Sequence, residues 1–539
     1  MSITGNIIDP LNRRSFSGTI EISEGRISAI HEHEVDNGLF ILPGFVDAHI
    51  HIESSMLTPY EFARMALPHG TVATVSDPHE IANVCGMQGI RYMLENAKNA
   101  LLKFHFGAPS CVPATSFETA GAEITAADID TLFKDDGLLY LAEMMNYPGV
   151  LYRDPMVMEK LAIAQKHGRI IDGHAPGLRG EDVISYASFG VSTDHECFTL
   201  EEALDKLNAG MKVLIREGSA ARNFDALIPL MKEHAENLMF CSDDKHPDDL
   251  ELGHIDQLVS RAVNSGYDLF DVLRSACVNP VRHYGLDVGL LQPGDPADFI
   301  LVKDLKDFKV LSTFINGQKA AENGESILPK GDHATINNFS CSEKSPDDFR
   351  IMTDGKQVHV IEALDGQLIT KKMTVYANVI DHELKPDTEN DILKIAVVNR
   401  YKDTLPAMGM IKNIGIRRGA IASTVAHDSH NIIAVGCTDE EICRAVNLLV
   451  RSKGGLCAVD GSEELLLPLP IAGLISDQDG RTVSKSYSAL DKKVKDMGSR
   501  LRAPYMTLSF MALLVIPEFK MSDLGLFDAI NFKFTELTD

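Results

Sequence analysis

The chain has 539 residues, 45% apolar and 24% charged, with a net charge of −26. That balance is ordinary for a soluble globular protein of two or three domains. The acidic excess excludes the basic patches that a nucleic-acid partner needs, and reads as a solvated surface.

Nine cysteines are scattered without a CxxC pair. That fits a reducing compartment better than a disulfide framework. The start, MSITGNIIDPLNRRSF, has no apolar signal core. The most apolar late stretch, MTLSFMALLVIP (506–517), is too short to span a bilayer. A cytoplasmic protein without a membrane or nucleic-acid partner is expected.

Along the chain, residues 1–42 contain GTIEISEGRISAI, an alternating strand pattern around a Gly-centred turn. They are the expected first part of a small β domain. A rhythm then begins, in which short apolar runs end in polar residues and helical patterns follow. Eight such runs are LFILPGFVDAHIH (39–51), TVATVSDPHE (71–80), KFHFGAPS (103–110), LLYLAEMM (138–145), RIIDGHAP (169–176), GVSTDH (190–195), KVLIREGS (212–219) and LMFCSDD (238–244). Eight β-α units predict an α/β fold, a (β/α)₈ barrel over 43–284, with its chemistry at the C-terminal strand ends. Residues 285–334 return to strand patterns and are expected to pack with the N-terminal segment. From 335 to 539, alternating runs such as GKQVHVIEAL and KIAVVNRY, with an amphipathic TDEEICRAVNLLVRSKGG ending at Gly, predict a separate α+β domain.

The polar residues at the strand ends carry the chemistry. In PGFVDAHIHIESS (43–55), His49 and His51 sit two apart and project from one face of a strand. A lone His-x-His is more often structural. Here Glu143, His174, His195 and Asp243 stand at four further strand ends. Four imidazoles and two carboxylates are enough for two divalent metals with a bridging carboxylate and a bridging water. Two cations lower the pKa of water, and a carboxylate beside it, Asp243, can take the proton and deliver it to a leaving group.

These segments resemble the amidohydrolase superfamily and, within it, the adenine deaminase family. PGFVDAHIHIESSM resembles the strand-one motif. SDPHEIANV, GHAPGL, DHECFT, REGSAARN and CSDDKHPDDL resemble that family's later strand ends. GLLQPGDPADFILV resembles the superfamily's closing β segment, and VAHDSHNIIAVG and LPIAGLISD resemble the family's own C-terminal domain. The resemblance runs nearly the whole chain. It implies hydrolysis of adenine to hypoxanthine and ammonia, with metal-bound hydroxide attacking C6, a role in purine salvage, and a dimer as the assembly. It carries over His49, His51, Glu143, His174, His195 and Asp243 as ligands of two divalent ions, Mn²⁺ or Fe²⁺ rather than Zn²⁺. Many relatives bridge the metals with a carboxylated lysine on strand four. LLYLAEMM has none, which leaves Glu143 as the bridge. Another heterocycle as substrate is the alternative.

Other residues keep two readings. His79 and Glu80 are expected to be catalytic, binding the purine, helping protonate a ring nitrogen or holding an extra metal; the competing reading is a capped turn opening a helix. Glu217, Ser219 and Arg222 are expected to bind substrate, against a plain Glu–Arg pair. Asp244 and His246 either orient a ligand or are solvated. His427, Asp428 and His430 either cover the site, form another metal site or make an Asx-type turn. Cys197 and Cys241 read as small core residues.

Overall fold

The computed structural model describes residues 1–35 and 38–538. Residues 36, 37 and 539 fall inside the first and last expected domain ranges and lie outside the described residues.

The chain opens with β1 (Ser2–Asp9), β2 (Arg14–Ser23), β3 (Arg26–Glu32) and β4 (Phe40–Pro43). Glu24 and Gly25 turn between β2 and β3, both with positive φ, a backbone twist that matches the flanking strands of a hairpin. The alternating pattern seen in sequence is the burial pattern of β2, whose Gly18, Ile20 and Ile22 are protected while Glu21 and Ser23 are exposed. Phe299–Val302 runs antiparallel to β4. With Val310–Ile315, Gln318–Glu322 and Glu325–Ser326 it extends one eight-stranded sheet drawn from both flanks of the chain.

Between these flanks come β5 (Phe45–Ile50), β6 (Thr71–Ser76), β7 (Lys103–Phe106), β8 (Tyr140–Met144), β9 (Ile170–Gly173), β10 (Thr193–Asp194), β11 (Lys212–Arg216) and β12 (Leu238–Cys241). Every residue of β5 and β6 is buried, as expected of parallel strands covered on both faces. The strands pair in parallel as β5-β6-β7, β8-β9 and β10-β11-β12. Single parallel bridges lie between these sheets at Ala108 to Leu141, Ile171 to Val191 and Ile50 to Asp243. Helices such as Leu200–Asn208, capped by the Thr199 hydroxyl accepting from Glu202 N, fill the crossovers.

The C-terminal part builds a second eight-stranded sheet, in which Ile432–Gly436 pairs antiparallel with both Ile392–Val398 and Ala420–Ser423. The expected amphipathic helix is Asp439–Ser452, capped by Thr438. It ends on Lys453 in the left-handed conformation, one residue before the Gly read as its stop. MTLSFMALLVIP lies mostly in a short helix, Pro504–Ser509, and a further turn, Phe510–Ala512, both buried inside the protein. No helix among the described residues is long and apolar enough to cross a membrane.

The hairpin connection after Ser423 reaches from this second sheet to the C-terminal ends of the β/α strands. Asn431 Nδ2 donates to Thr119 O at 2.9 Å, and Ser476 N donates to Met56 O at 2.9 Å. The mouth of the β/α unit is therefore closed by the second sheet's loops.

Candidate metal and active site

Three buried networks fix the strand ends. Asp47 on β5 accepts from Ser242 N at 3.0 Å and pairs with His254 Nε2 at 2.8 Å, tying the first strand to the last. Backbone bonds from His51 N to Asp243 O (3.2 Å) and from Asp243 N to His49 O (2.9 Å) lock these residues beside each other. Tyr186 donates its hydroxyl to Met144 O at 2.7 Å and accepts from His174 N at 3.2 Å, linking β8 to the end of β9. Lys206 Nζ, fully buried, donates to Asp194 Oδ2 and Ala175 O, both at 2.7 Å. Asp194 precedes His195 and Ala175 follows His174, so one ammonium holds both histidine-bearing ends.

The six side chains expected as ligands are brought together. Glu143 lies at the centre. Its Oε1 is 3.2 Å from His51 Nε2; its Oε2 is 2.7 Å from His174 Nδ1 and 3.2 Å from His195 Nε2. Asp243 Oδ1 is 3.5 Å from His49 Nε2 and 3.3 Å from His51 Nε2. The two Nε2 atoms of His49 and His51 face each other at 3.2 Å. His51 Nδ1 lies 3.2 Å from Asp77 O; donation there leaves the Nε2 lone pair pointing into the cluster. His174 Nε2 is buried with no hydrogen-bond partner. Converging acceptors with an orphaned ring nitrogen are the arrangement a divalent cation satisfies, and the N/O donor set suits Mn, Fe or Zn alike. Two triplets of these side chains, His49, His195 and Asp243, and Glu143, His174 and His195, each hold their ligand atoms within 4.8 Å of one another.

The electrostatics follow from burial and pairing. Burial pushes the Glu143 carboxyl up, but the surrounding histidines, His174 foremost, hold it well below the usual carboxylate range. Burial likewise opposes Asp243, and the Arg216 guanidinium, then His49 and His51, hold it well below.

His79 and Glu80 open the helix His79–Ala97. Asp77 Oδ1 accepts from His79 N at 3.1 Å as a helix-start contact, and Asp77 Oδ2 lies 3.1 Å from His79 Nδ1. His79 Nδ1 is also 3.6 Å from Glu143 Oε1. Glu80 is not free: its Oε1 is 2.6 Å from His427 Nδ1, and its Oε2 lies against His430 Nε2. Burial pushes its carboxyl up, and His427, His430 and His79 pull it well below the usual range. The 424–431 loop thus covers the site through Glu80.

Four expected residues are not in the cluster. Glu217 pairs with Arg261 at 3.1 Å and sits 4.0 Å from Arg222. Ser219 donates to Asp249 at 2.6 Å, and Arg222 donates to Gly218 O. None of the three lines the central cavity. Strand alternation accounts for this placement: Arg216 points toward Asp243, and its neighbour Glu217 toward Arg261. His246 packs edge-on against Tyr487, with ring centroids 4.5 Å apart, and burial lowers its pKa to about 4. Asp244 does line the cavity and accepts from the Ser54 hydroxyl. Cys197 and Cys241 are buried and unpaired.

Sequence reasoning missed several site residues. Arg216 Nη1 reaches Asp243 Oδ2 and, with Nη2, clasps Glu196. Glu196 Oε1 lies 3.7 Å from His174 Nδ1 and 3.6 Å from His195 Nε2. Period-two alternation would have flagged Arg216. Phe510, Leu513, Leu368 and Met145 form the apolar wall, and the first three come from the second domain. The cavity among them is about 30 Å³.

A parallel β/α unit with His-x-His at its first strand end, Glu on its fourth strand, His at its fifth and sixth and Asp at its eighth is an amidohydrolase arrangement. The chain belongs to the amidohydrolase family, whose model matches residues 40–320, and within it to the adenine deaminases. A model described as the adenine deaminase C-terminal domain matches residues 367–533. Adenine deaminases of Methanosarcina mazei and Salinibacter ruber are each 51% identical to it, over 99% of this chain and 98% of their own length. That of Sulfurovum sp. is 52% identical over 99% of both chains. The amidohydrolase family implies a divalent metal centre, and the cluster around Glu143 is the candidate for it.

Proposed function

We propose that this protein is an adenine deaminase that converts adenine and water to hypoxanthine and ammonia, a purine salvage reaction. The observation that carries this reading is a buried cluster of six ligand-type side chains in which Glu143 meets His51, His174 and His195 and Asp243 meets His49 and His51, in a chain about half identical over its whole length to adenine deaminases. We read the eight parallel strands as a closed (β/α)₈ barrel over 43–284, supported by the bridge from Ile50 to Asp243. The small β domain comprises 1–42 and 285–334, and the α+β domain 335–539.

His49, His51, His174, His195 and Asp243 would hold two divalent ions, with Glu143 between them. The histidines and carboxylates suit Mn²⁺ or Fe²⁺, with Zn²⁺ the third choice. When bound, the ions would lower the pKa of water so that a nucleophile exists near neutral pH. Water oxygen adds at C6, the bond from C6 to the exocyclic nitrogen breaks, one water proton ends on the neighbouring ring nitrogen of hypoxanthine and the other leaves with the amine as ammonia. Asp243 moves that proton, its Oδ1 facing the cluster while Arg216 fixes Oδ2. His79, beside Glu143, faces the ring and can donate to a ring nitrogen. Glu80 anchors the loop that closes over the substrate. Asp244 borders the same cavity and orients what binds there. Ligand pockets run to about 300–1,000 Å³, so the cavity widens as the purine enters.

The unpaired cysteines support a reducing, cytoplasmic setting, and a dimer is the assembly to test by light scattering. The functional test is ammonia release from adenine, with adenosine, guanine and cytosine in parallel, on protein produced with manganese and with iron chelated, and metals counted. Turnover of adenine alone with about two metals per chain supports the reading. No ammonia from adenine at full metal occupancy moves the substrate to another heterocycle.

A further inference from the structure

Asp428 has no part in the reaction described above, yet it is buried at 2% exposure on the cavity wall. Its Oδ1 faces two imidazoles, His79 Nε2 and His427 Nδ1, each 3.8 Å away. Its Oδ2 is buried and has no hydrogen-bond partner. A buried carboxylate oxygen left unpaired is costly, and a donor from a ligand removes that cost.

The loop that presents Asp428 is firmly held. His427 and His430 both grip Glu80. Ala426 N donates to His430 Nδ1 at 3.2 Å, so in the neutral ring the proton is on Nε2. Tyr401 donates its hydroxyl to Ser429 O at 2.5 Å. Next to Asp428, Phe510 stacks on His427 with ring centroids 4.7 Å apart, giving the cavity a flat apolar face. A flat wall beside one unpaired acceptor fits a planar heterocycle with an N–H on its edge.

We propose that Asp428 Oδ2 accepts the imidazole-ring N–H of the purine, and so selects the free base over N9-substituted purines. This rests on the adenine deaminase reading. Adenine offers two kinds of donor, the exocyclic amine and the ring N–H. The amine must lie at the Glu143 cluster, where the carbon–nitrogen bond breaks. The ring N–H, at the far end of the molecule, then meets the wall built by the second domain. A sugar or methyl group at N9 removes that N–H and leaves Asp428 unpaired against an apolar substituent.

The test compares adenine with 9-methyladenine, which keeps the amine and has no ring N–H, on the metal-loaded wild type and on Asp428→Ala and Asp428→Asn. The wild type should prefer adenine by about 10⁴-fold in kcat/KM, the size of discrimination reached by sites built to pair a substrate N–H. Asp428→Ala should lose about 100-fold on adenine, chiefly through KM, and should gain on 9-methyladenine because the methyl group now has room. Asp428→Asn, which keeps a neutral acceptor, should lie between. Metal content should stay unchanged in both variants. An equal loss on both substrates, or none on adenine, overturns the proposal. So does a third metal per chain that disappears with Asp428, since the carboxylate would then be a ligand. A wild type that releases no ammonia from adenine fails the deaminase reading itself, a result separable from these.

Discussion

Arg216 Nη1 lies 2.5 Å from Asp243 Oδ2, both side chains almost fully buried at the C-terminal ends of the β/α strands. The same guanidinium clasps Glu196, so one cation balances two buried carboxylates. Asp243 is therefore divided: one oxygen faces His49 and His51, the other is fixed from behind. Removing one partner of such a network leaves uncompensated charge. Arg216→Met should destabilise the protein by about 3–5 kcal/mol, with Arg216→Lys recovering part of it. Urea denaturation measures this; a loss below about 1 kcal/mol would mean that the two carboxylates find other partners.

Glu143 touches three histidines from three other strands. Glu143→Gln keeps the shape and removes the charge. Metal content by elemental analysis and deaminase activity should fall together, activity by about 10³-fold or more. Full metal content in this variant would sink the bridging role.

Asp243→Asn separates proton transfer from metal retention. Turnover should drop by about 10²–10⁴-fold, the usual worth of a positioned acid–base group, while some metal stays bound by the remaining ligands. Turnover close to wild type would assign the proton to another group.

Glu217 and Arg222 face away from the cavity, toward Arg261 and Asp249. Arg222 is 37% exposed, and surface pairs are worth about 0–1 kcal/mol. Arg222→Ala and Glu217→Gln should leave kcat/KM for adenine within about threefold. A hundredfold loss in either would return them to the substrate site.

Lys520 is fully buried and donates to Leu368 O (2.6 Å) and Phe510 O (2.8 Å), both residues of the apolar wall. Burial lowers its pKa to about 7. The unfolded chain, with an ordinary lysine near 10.4, binds this proton more tightly than the folded one between pH 7 and 10. Its contribution to stability therefore rises with pH across that window, by at most about 1.4 kcal/mol per unit, and is flat below it. Thermal unfolding from pH 7 to 9 should show the rise in wild type, and Lys520→Met should remove it. Identical slopes would mean that the ammonium is neutralised in another way.

Much of the site was legible because strand chemistry is local. His49 and His51 share a face by the two-residue period, and Glu143, His174, His195 and Asp243 each end an apolar run. The same period separates Arg216, which meets Asp243, from Glu217, which meets Arg261, but the phase of that alternation is visible only in the fold. The burial of the His246 ring was not legible because Tyr487, which covers it, lies far along the chain. The loop His427–His430 could be seen as polar, but its grip on Glu80 joins positions about 350 residues apart, and no local pattern reports such a contact.

By itself, the sequence determined the β/α rhythm, the six ligand-type side chains and the two-flank β domain, because burial periodicity and donor type are properties of short segments. Only the tertiary structure decided that Glu80 is clamped by the second domain, that Arg216 balances Asp243 and Glu196, and that Asp428 stands unpaired at the cavity. Those relationships arise from buried charges meeting across elements, and a buried charge is defined by its partners in space rather than by its neighbours in the chain.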